Sequence, residues 1–105
     1  MKRLMPLAAL AFGIATAGQA VAVDGAALYA EKTCVACHGP GGKKPLLPDY
    51  PKIAGQNAAY LERQMLDIKS GTRANGNSAA MQGVMHLVSD AEIHALADYI
   101  SKLKP

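Results

Sequence analysis

Two thiols and an imidazole stand together in Cys34-Val35-Ala36-Cys37-His38. Two intervening residues put both sulfurs on one side of a helical turn, and the histidine follows at once. In an exported chain this C-x-x-C-H order is a signature of covalent haem attachment. Cys34 and Cys37 would form thioethers to the two vinyl groups along one porphyrin edge, and His38 would supply the proximal axial ligand to iron. Tethering the porphyrin to the same five residues makes that ligation effectively intramolecular. Three other uses of the pair fit less well. A thioredoxin-like couple needs a βαβ setting, and the chain has no β-branched strand runs. A bare disulfide across one tight loop stabilises little. Half a zinc site would need His86 and His94, which have seven residues between them, wider than the usual H-x(3–5)-H spacing.

Export is written at the start of the chain. MKRLMPLAALAFGIATAGQAVA carries Lys2 and Arg3, an apolar run from Leu4 to Ala17, and an A-x-A site at Ala20-Val21-Ala22, so residues 1–22 read as a secretory signal peptide and 23–105 as the mature domain. Cleavage after Ala20 is the near alternative, and the apolar run is too short to span a bilayer. The implied compartment is the periplasm. Removing 22 of the 105 residues leaves 83, with nine basic and eight acidic side chains, so the overall charge of +3 belongs mostly to the leader. No Lys/Arg stripe with interleaved aromatics is present, which argues against nucleic acid as a partner. Phe12 leaves with the leader and there is no Trp; Tyr29, Tyr50, Tyr60 and Tyr99 are the remaining aromatics. A domain this small with so thin a core needs a staple, and a covalently held porphyrin supplies one.

The elements that must position the motif are helical. Asp24 can cap a helix through Ala26, Ala27, Leu28 and Tyr29 to about Lys32, placing the cysteine motif at its C-terminal end. From Gly39 to Gln56 the density of glycine and proline forbids regular structure and predicts one ordered loop. Ala58, Leu61, Met65 and Ile68 then recur at helical spacing up to a C-cap at Gly71. Thr72 to Ser78 form a second loop, with Ser78 able to cap a short turn carrying Met81 and Val84. Ser89-Asp90-Ala91-Glu92 is a capping box ahead of Ile93, Leu96, Ala97, Ile100 and Leu103 on one face, a helix ending near Leu103. The fold class is all-α, with three to four helices and long loops wrapped around one haem and with the terminal helices crossing.

The sixth iron ligand has several candidates: Met81, Met85 and His86 all lie between the middle and last helices, while Met65 belongs to the middle helix's apolar stripe and reads as core. A methionine thioether favours ferrous iron and a second histidine lowers the potential, and composition does not choose between them.

Taken with the haem motif and Gly39, the blocks Tyr50-Pro51-Lys52-Ile53-Ala54-Gly55-Gln56 with Tyr60-Leu61, Asp67-Ile68-Lys69-Ser70-Gly71, and Met81 through Asp90 with Ala97-Asp98-Tyr99-Ile100 extend across nearly the whole mature chain. In these pieces the chain resembles a class I cytochrome c, most of all a single haem domain of the periplasmic di-haem c-four subgroup. The resemblance implies an axial methionine nine residues before Asp90, which is Met81, with Met85 the runner-up and His86 third. It implies that a loop proline carbonyl accepts the second N–H of His38, with Pro48 the matching position and Pro45 the neighbouring alternative. Gln56, Tyr60 and Arg73 become candidates for contacting the haem propionates. His86 and His94 read as surface residues.

The expected function is one-electron transfer by a monohaem protein, from a membrane or periplasmic donor to a terminal oxidase or reductase, as a monomer or weak dimer. No catalytic residue is implied. Docking would use a small, transient interface around the haem edge, with Lys43, Lys44 and Lys52 available to steer an acidic partner. An open sixth position would instead suit a gas-binding or peroxidase-like domain, and the same fold also serves as one haem subunit of a larger complex.

Overall fold

The computed structural model describes residues 23–105, which form five α-helices joined by turns and loops, with no strand among the described residues. The expected leader, residues 1–22, lies outside them. Helix α1 (Gly25–Glu31) begins where Asp24 accepts the N–H groups of Ala26 and Ala27, at 3.0 and 3.4 Å, satisfying two donors that the first turn leaves unpaired. It does not continue into the cysteine motif. Thr33 takes φ +67, a left-handed conformation that is strained for a β-branched side chain, and the chain restarts as a separate helix α2 (Cys34–His38). The motif thus has a helix of its own rather than the end of the first one.

Residues 39–56 form the long loop, regular only in a 3-10 turn at Pro40–Gly42. Its entry depends on Gly39, at φ +82, where an added Cβ would sit 1.8 Å from the Lys44 carbonyl oxygen. Only glycine lets the loop fold back so closely on the motif. Helix α3 (Ala58–Ser70) is capped by Asn57, whose side chain accepts the Tyr60 N–H at 3.0 Å, and stops at Gly71 in the left-handed region. Helix α5 (Asp90–Ser101) starts in the predicted capping box: Ser89 Oγ accepts the Glu92 N–H at 3.1 Å, and Glu92 Oε1 accepts the Ser89 N–H at 2.9 Å.

Two boundaries differ from the sequence reading. The short turn expected from Ser78 is an eight-residue helix α4 (Ser78–Met85) whose N-cap is Asn77; Ser78 lies inside it, buried. Helix α5 ends two residues before Leu103 because Lys102 and Leu103 donate to Tyr99 and Ile100, three residues back, and so tighten the last turn.

The core is built on α5, which packs against both α1 and α3. Ile93 and Leu96 are fully buried and Ala97 and Ile100 nearly so. Each such aliphatic side chain stabilises the fold by roughly 1.5–3 kcal/mol through removal from water. The terminal helices do cross closely: a Cβ on Gly25 would meet Tyr99 Cβ at 2.5 Å and the Ala95 carbonyl at 2.6 Å. Tyr29 of α1 adds a tilted ring contact to Tyr99, centroids 5.9 Å apart.

Candidate functional site

Helices α2, α3, α4 and α5 enclose a cleft of about 430 Å³. Its apolar lining comes from Leu61, Met65 and Ile68 of α3, Leu96 and Ile100 of α5, and Val84 of α4. Cys34, Cys37 and His38 of α2 reach the same cleft, as do Met81 and Met85. At its mouth stand exposed polar groups, among them Gln56, Tyr60, Arg73, Asn75 and Asn77.

His38 is a buried polar group of the cleft, 8% exposed, and its ring is fixed. Nδ1 lies 2.9 Å from the Pro51 carbonyl oxygen. A carbonyl only accepts, so Nδ1 carries the proton and Nε2 is left with a free lone pair, the tautomer a metal-ligating imidazole needs. The accepting proline is Pro51, not Pro48 or Pro45. The resemblance pointed to Pro48, but the loop spends residues on turns, including the Tyr50 N–H to Leu47 carbonyl bond, before it returns to the ring. The signal that locates Pro51 was the block Tyr50–Gln56, which contains it.

The backbone around the motif is equally constrained. Tyr29 donates its hydroxyl to the Gly39 carbonyl at 2.7 Å, inside the protein. Burial, with smaller effects from Cys34 and Tyr99, pushes the Tyr29 hydroxyl up to about 12, so it stays a donor across the ordinary pH range. Leu46 donates its N–H to the Cys37 carbonyl at 3.0 Å, and the Gly42 carbonyl accepts from both Ile53 and Ala54. Sequence reasoning did not find the Tyr29 anchor, since nothing local marks a tyrosine ten residues before its acceptor. The two cysteines are not bonded to one another. Burial also pushes the Cys34 thiol up, keeping it as S–H.

Helix α4 presents its two methionines four residues apart, hence on one face. They are not equivalent. Met85 is 2% exposed and belongs to the core cluster, whereas Met81 is half-buried and packs against that cluster from the cleft. His86 caps the helix and is exposed outside the cleft lining. His94 is also exposed, with Nδ1 2.9 Å from Glu62 Oε1 across α5 and α3. Of the mouth residues, Arg73 donates to Gln64 Oε1 at 3.0 Å, and Gln56 Oε1 accepts the Asn57 N–H at 2.9 Å.

The donor set suits a covalently tethered porphyrin: two thiols and one pre-oriented imidazole beside a thioether, in an apolar cleft with a polar mouth. Among the described residues, no three His, Cys, Asp or Glu side chains are placed so that they could together hold a metal ion. Nor is any helix among the described residues long and apolar enough to cross a membrane.

Comparison with known proteins agrees with this chemistry. The family model for Cytochrome c matches residues 22–104. Cytochrome c-553 of Nitratidesulfovibrio vulgaris (strain DSM 19637 / Miyazaki F) is 39% identical over 107 residues, covering 98% of this chain and 100% of that protein. The thiosulfate dehydrogenase electron acceptor of Thiomonas intermedia (strain K12) is 39% identical over 107 residues, covering 100% of this chain but 46% of that protein. The solved structure of Acidithiobacillus ferrooxidans cytochrome c4 superposes with a TM-score of 0.65 at 40% identity, over 69% of this chain and 42% of that one. The chain therefore spans the whole of one relative and less than half of the other two.

Proposed function

The chain belongs to the cytochrome c family and binds covalent haem c, and from that premise we propose that residues 23–105 form a periplasmic electron carrier with His38 and Met81 as axial ligands. The observation that carries this reading is the His38 ring, held by Pro51 with its free nitrogen in the cleft beside two thiols.

When bound, the haem iron supplies the chemistry, a one-electron change between Fe(II) and Fe(III). The residues supply everything else. Cys34 and Cys37 would hold the porphyrin covalently, each thiol supplying the sulfur and the hydrogen of an S–H addition to a vinyl group. Pro51 fixes the tautomer of His38 and strengthens its donation through the Nδ1–H bond. Met81 would supply a thioether to the iron, which would limit ligand exchange and the structural change that accompanies electron transfer, while Met85 packs beside it as core. Gln56, Tyr60 and Arg73, which line the cleft, would hold the propionate carboxylates. Residues 1–22 act as the cleaved signal peptide that delivers the chain to the periplasm. Partners are redox proteins, a donor and an oxidase or reductase, met one at a time; a relative named as an electron acceptor for a dehydrogenase fits such a role.

The test is the optical spectrum of the haem-loaded oxidised protein in the red region where methionine sulfur bound to ferric iron absorbs weakly. The wild type and Met85→Ala should show the band and Met81→Ala should lose it. Absence of the band in the wild type, together with ready carbon monoxide binding to the reduced protein, would replace this reading by a ligand-binding or enzymatic one.

A further inference from the structure

The chain has three asparagines, Asn57, Asn75 and Asn77, and their surroundings differ. Asn57 caps α3 with its side-chain oxygen, accepting the Tyr60 N–H at 3.0 Å, and is followed by Ala58. Asn77 Nδ2 donates to Asp49 Oδ2 at 2.9 Å, a bond that ties the start of α4 to the loop carrying Pro51. The nitrogen after it is also engaged, since the Ser78 N–H donates to the Asn75 carbonyl at 3.1 Å.

Asn75 has no such restraint. It is exposed, its carboxamide makes no hydrogen bond among the described residues, and it is followed by Gly76. Gly76 is exposed as well, at φ +57; its N–H donates to no oxygen among the described residues, and a Cβ built on it would meet nothing within 4 Å. These are the conditions for an intramolecular attack. The next residue's nitrogen can reach an asparagine Cγ and close a ring, provided that the carboxamide can turn, the N–H can be deprotonated and no neighbouring Cβ hinders the approach. Asn75-Gly76 meets all three conditions, whereas the other two carboxamides are held and are followed by residues with side chains.

We propose that Asn75-Gly76 is a self-modification site, where the loop ahead of α4 deamidates and isomerises without an enzyme. The Gly76 nitrogen bonds to Asn75 Cγ, the Cγ–Nδ2 bond breaks, and ammonia leaves with the proton that Gly76 has given up. The succinimide so formed takes up one water, whose hydroxyl joins one ring carbonyl carbon while its hydrogen returns to the Gly76 nitrogen. Nothing is oxidised or reduced. Opening at Cγ leaves an aspartyl residue; opening at the main-chain carbonyl carbon leaves an isoaspartyl link, with the main chain rerouted through Cβ and Cγ and one methylene longer. Both products add a carboxylate to the lining of the cleft, where Asn75 and Gly76 stand with Arg73 and Asn77. The isoaspartyl product also takes the carbonyl that accepts from Ser78 out of the main chain and displaces Asn77 from Asp49, so it loosens the start of the helix that carries Met81.

The test incubates the haem-loaded protein in mildly alkaline buffer and follows it by trypsin digestion and mass spectrometry. Cleavage after Arg73 separates Asn57 from the other two asparagines, and fragment ions separate Asn75 from Asn77. A gain of about 1 Da should build up at Asn75, mostly as the isoaspartyl form, which resists the endoprotease that cuts ahead of aspartate. The same gain at Asn57 and Asn77 should be slower by about tenfold or more. Gly76→Ala, and Asn75→Gln, which leaves the main chain untouched, should each suppress the gain at this site by about tenfold or more. Equal rates at the three asparagines overturn the proposal, as does an unmodified Asn75 in the folded protein over a period in which the urea-unfolded chain deamidates there. The purified isoaspartyl species should unfold at a lower denaturant concentration than freshly prepared Asn75→Asp protein, which has the charge without the added methylene; identical midpoints overturn the loosening of α4. Neither readout depends on which residue ligates the iron.

Discussion

The two sides of the cleft are held by different forces. On the side of α2, long-range hydrogen bonds converge on three consecutive residues: Leu46 on Cys37, Pro51 on His38, and Tyr29 on Gly39. On the side of α4, Met81 rests on a helix with no side-chain cap bond, packed onto α3 and followed by a turn in which Lys69 Nζ holds the Val88 carbonyl at 2.6 Å. Directional bonds fix a ring's tautomer and orientation, whereas apolar packing fixes volume and tolerates small shifts. The His38 ring is thus set by directional bonds, whereas the position of Met81 is set by how well α4 seats.

The sharpest way to break this contrast is Gly39→Ala. Its Cβ would collide with the Lys44 backbone at a positive φ, so the loop carrying Pro51 cannot close. The expected cost exceeds about 4 kcal/mol, seen as loss of haem-loaded protein in haem-stained gels.

Met85→Ala probes the packed side. It should lower stability by about 2–5 kcal/mol in denaturant titration through the cavity left in the core, while the methionine–iron band survives. Loss of that band together with stability would erase the distinction drawn between the two methionines.

Tyr29→Phe probes one hydrogen bond of the proximal set. It should cost about 1–1.5 kcal/mol near neutral pH. The folded protein keeps the Tyr29 proton up to about 12, against 10.0 for a free tyrosine, so the unfolded chain releases it first. Stability is therefore full below the free value and falls as pH rises from there. The variant should show a shallower alkaline loss, measured as denaturation midpoint against pH.

The smallest effect concerns Glu92, away from the cleft. The Ser89 backbone N–H beside it holds its carboxyl below the usual range, so its contribution is present above the free carboxylate value and lost as pH falls through the depressed one. Glu92→Gln can keep the capping bond, and should flatten the acid side of the stability profile without changing the haem spectrum.

How much of this was legible beforehand follows from the range of each interaction. The C-x-x-C-H motif, the Asp24 cap, the Ser89–Glu92 box and the 3.6-residue stripes of α3 and α5 all act within one or two turns, so the linear chain displays them; the Asn57 cap acts over the same range but was not read from it. The break at Thr33 was not legible, because nothing about a threonine announces a left-handed backbone. Helix α4 was underestimated, since its eight residues depend on packing against α3 more than on a cap.

The amino-acid sequence by itself determined the covalent chemistry, the helical class and three of the helix starts, because those depend on residue type and near spacing. Only the tertiary structure decided that Pro51 meets His38 and that, of the two methionines lining the cleft, Met85 is buried in the core while Met81 is half-buried. Each of these joins residues through the path of a loop or the seating of a helix, and that path is set by all the packing at once, not by any local preference.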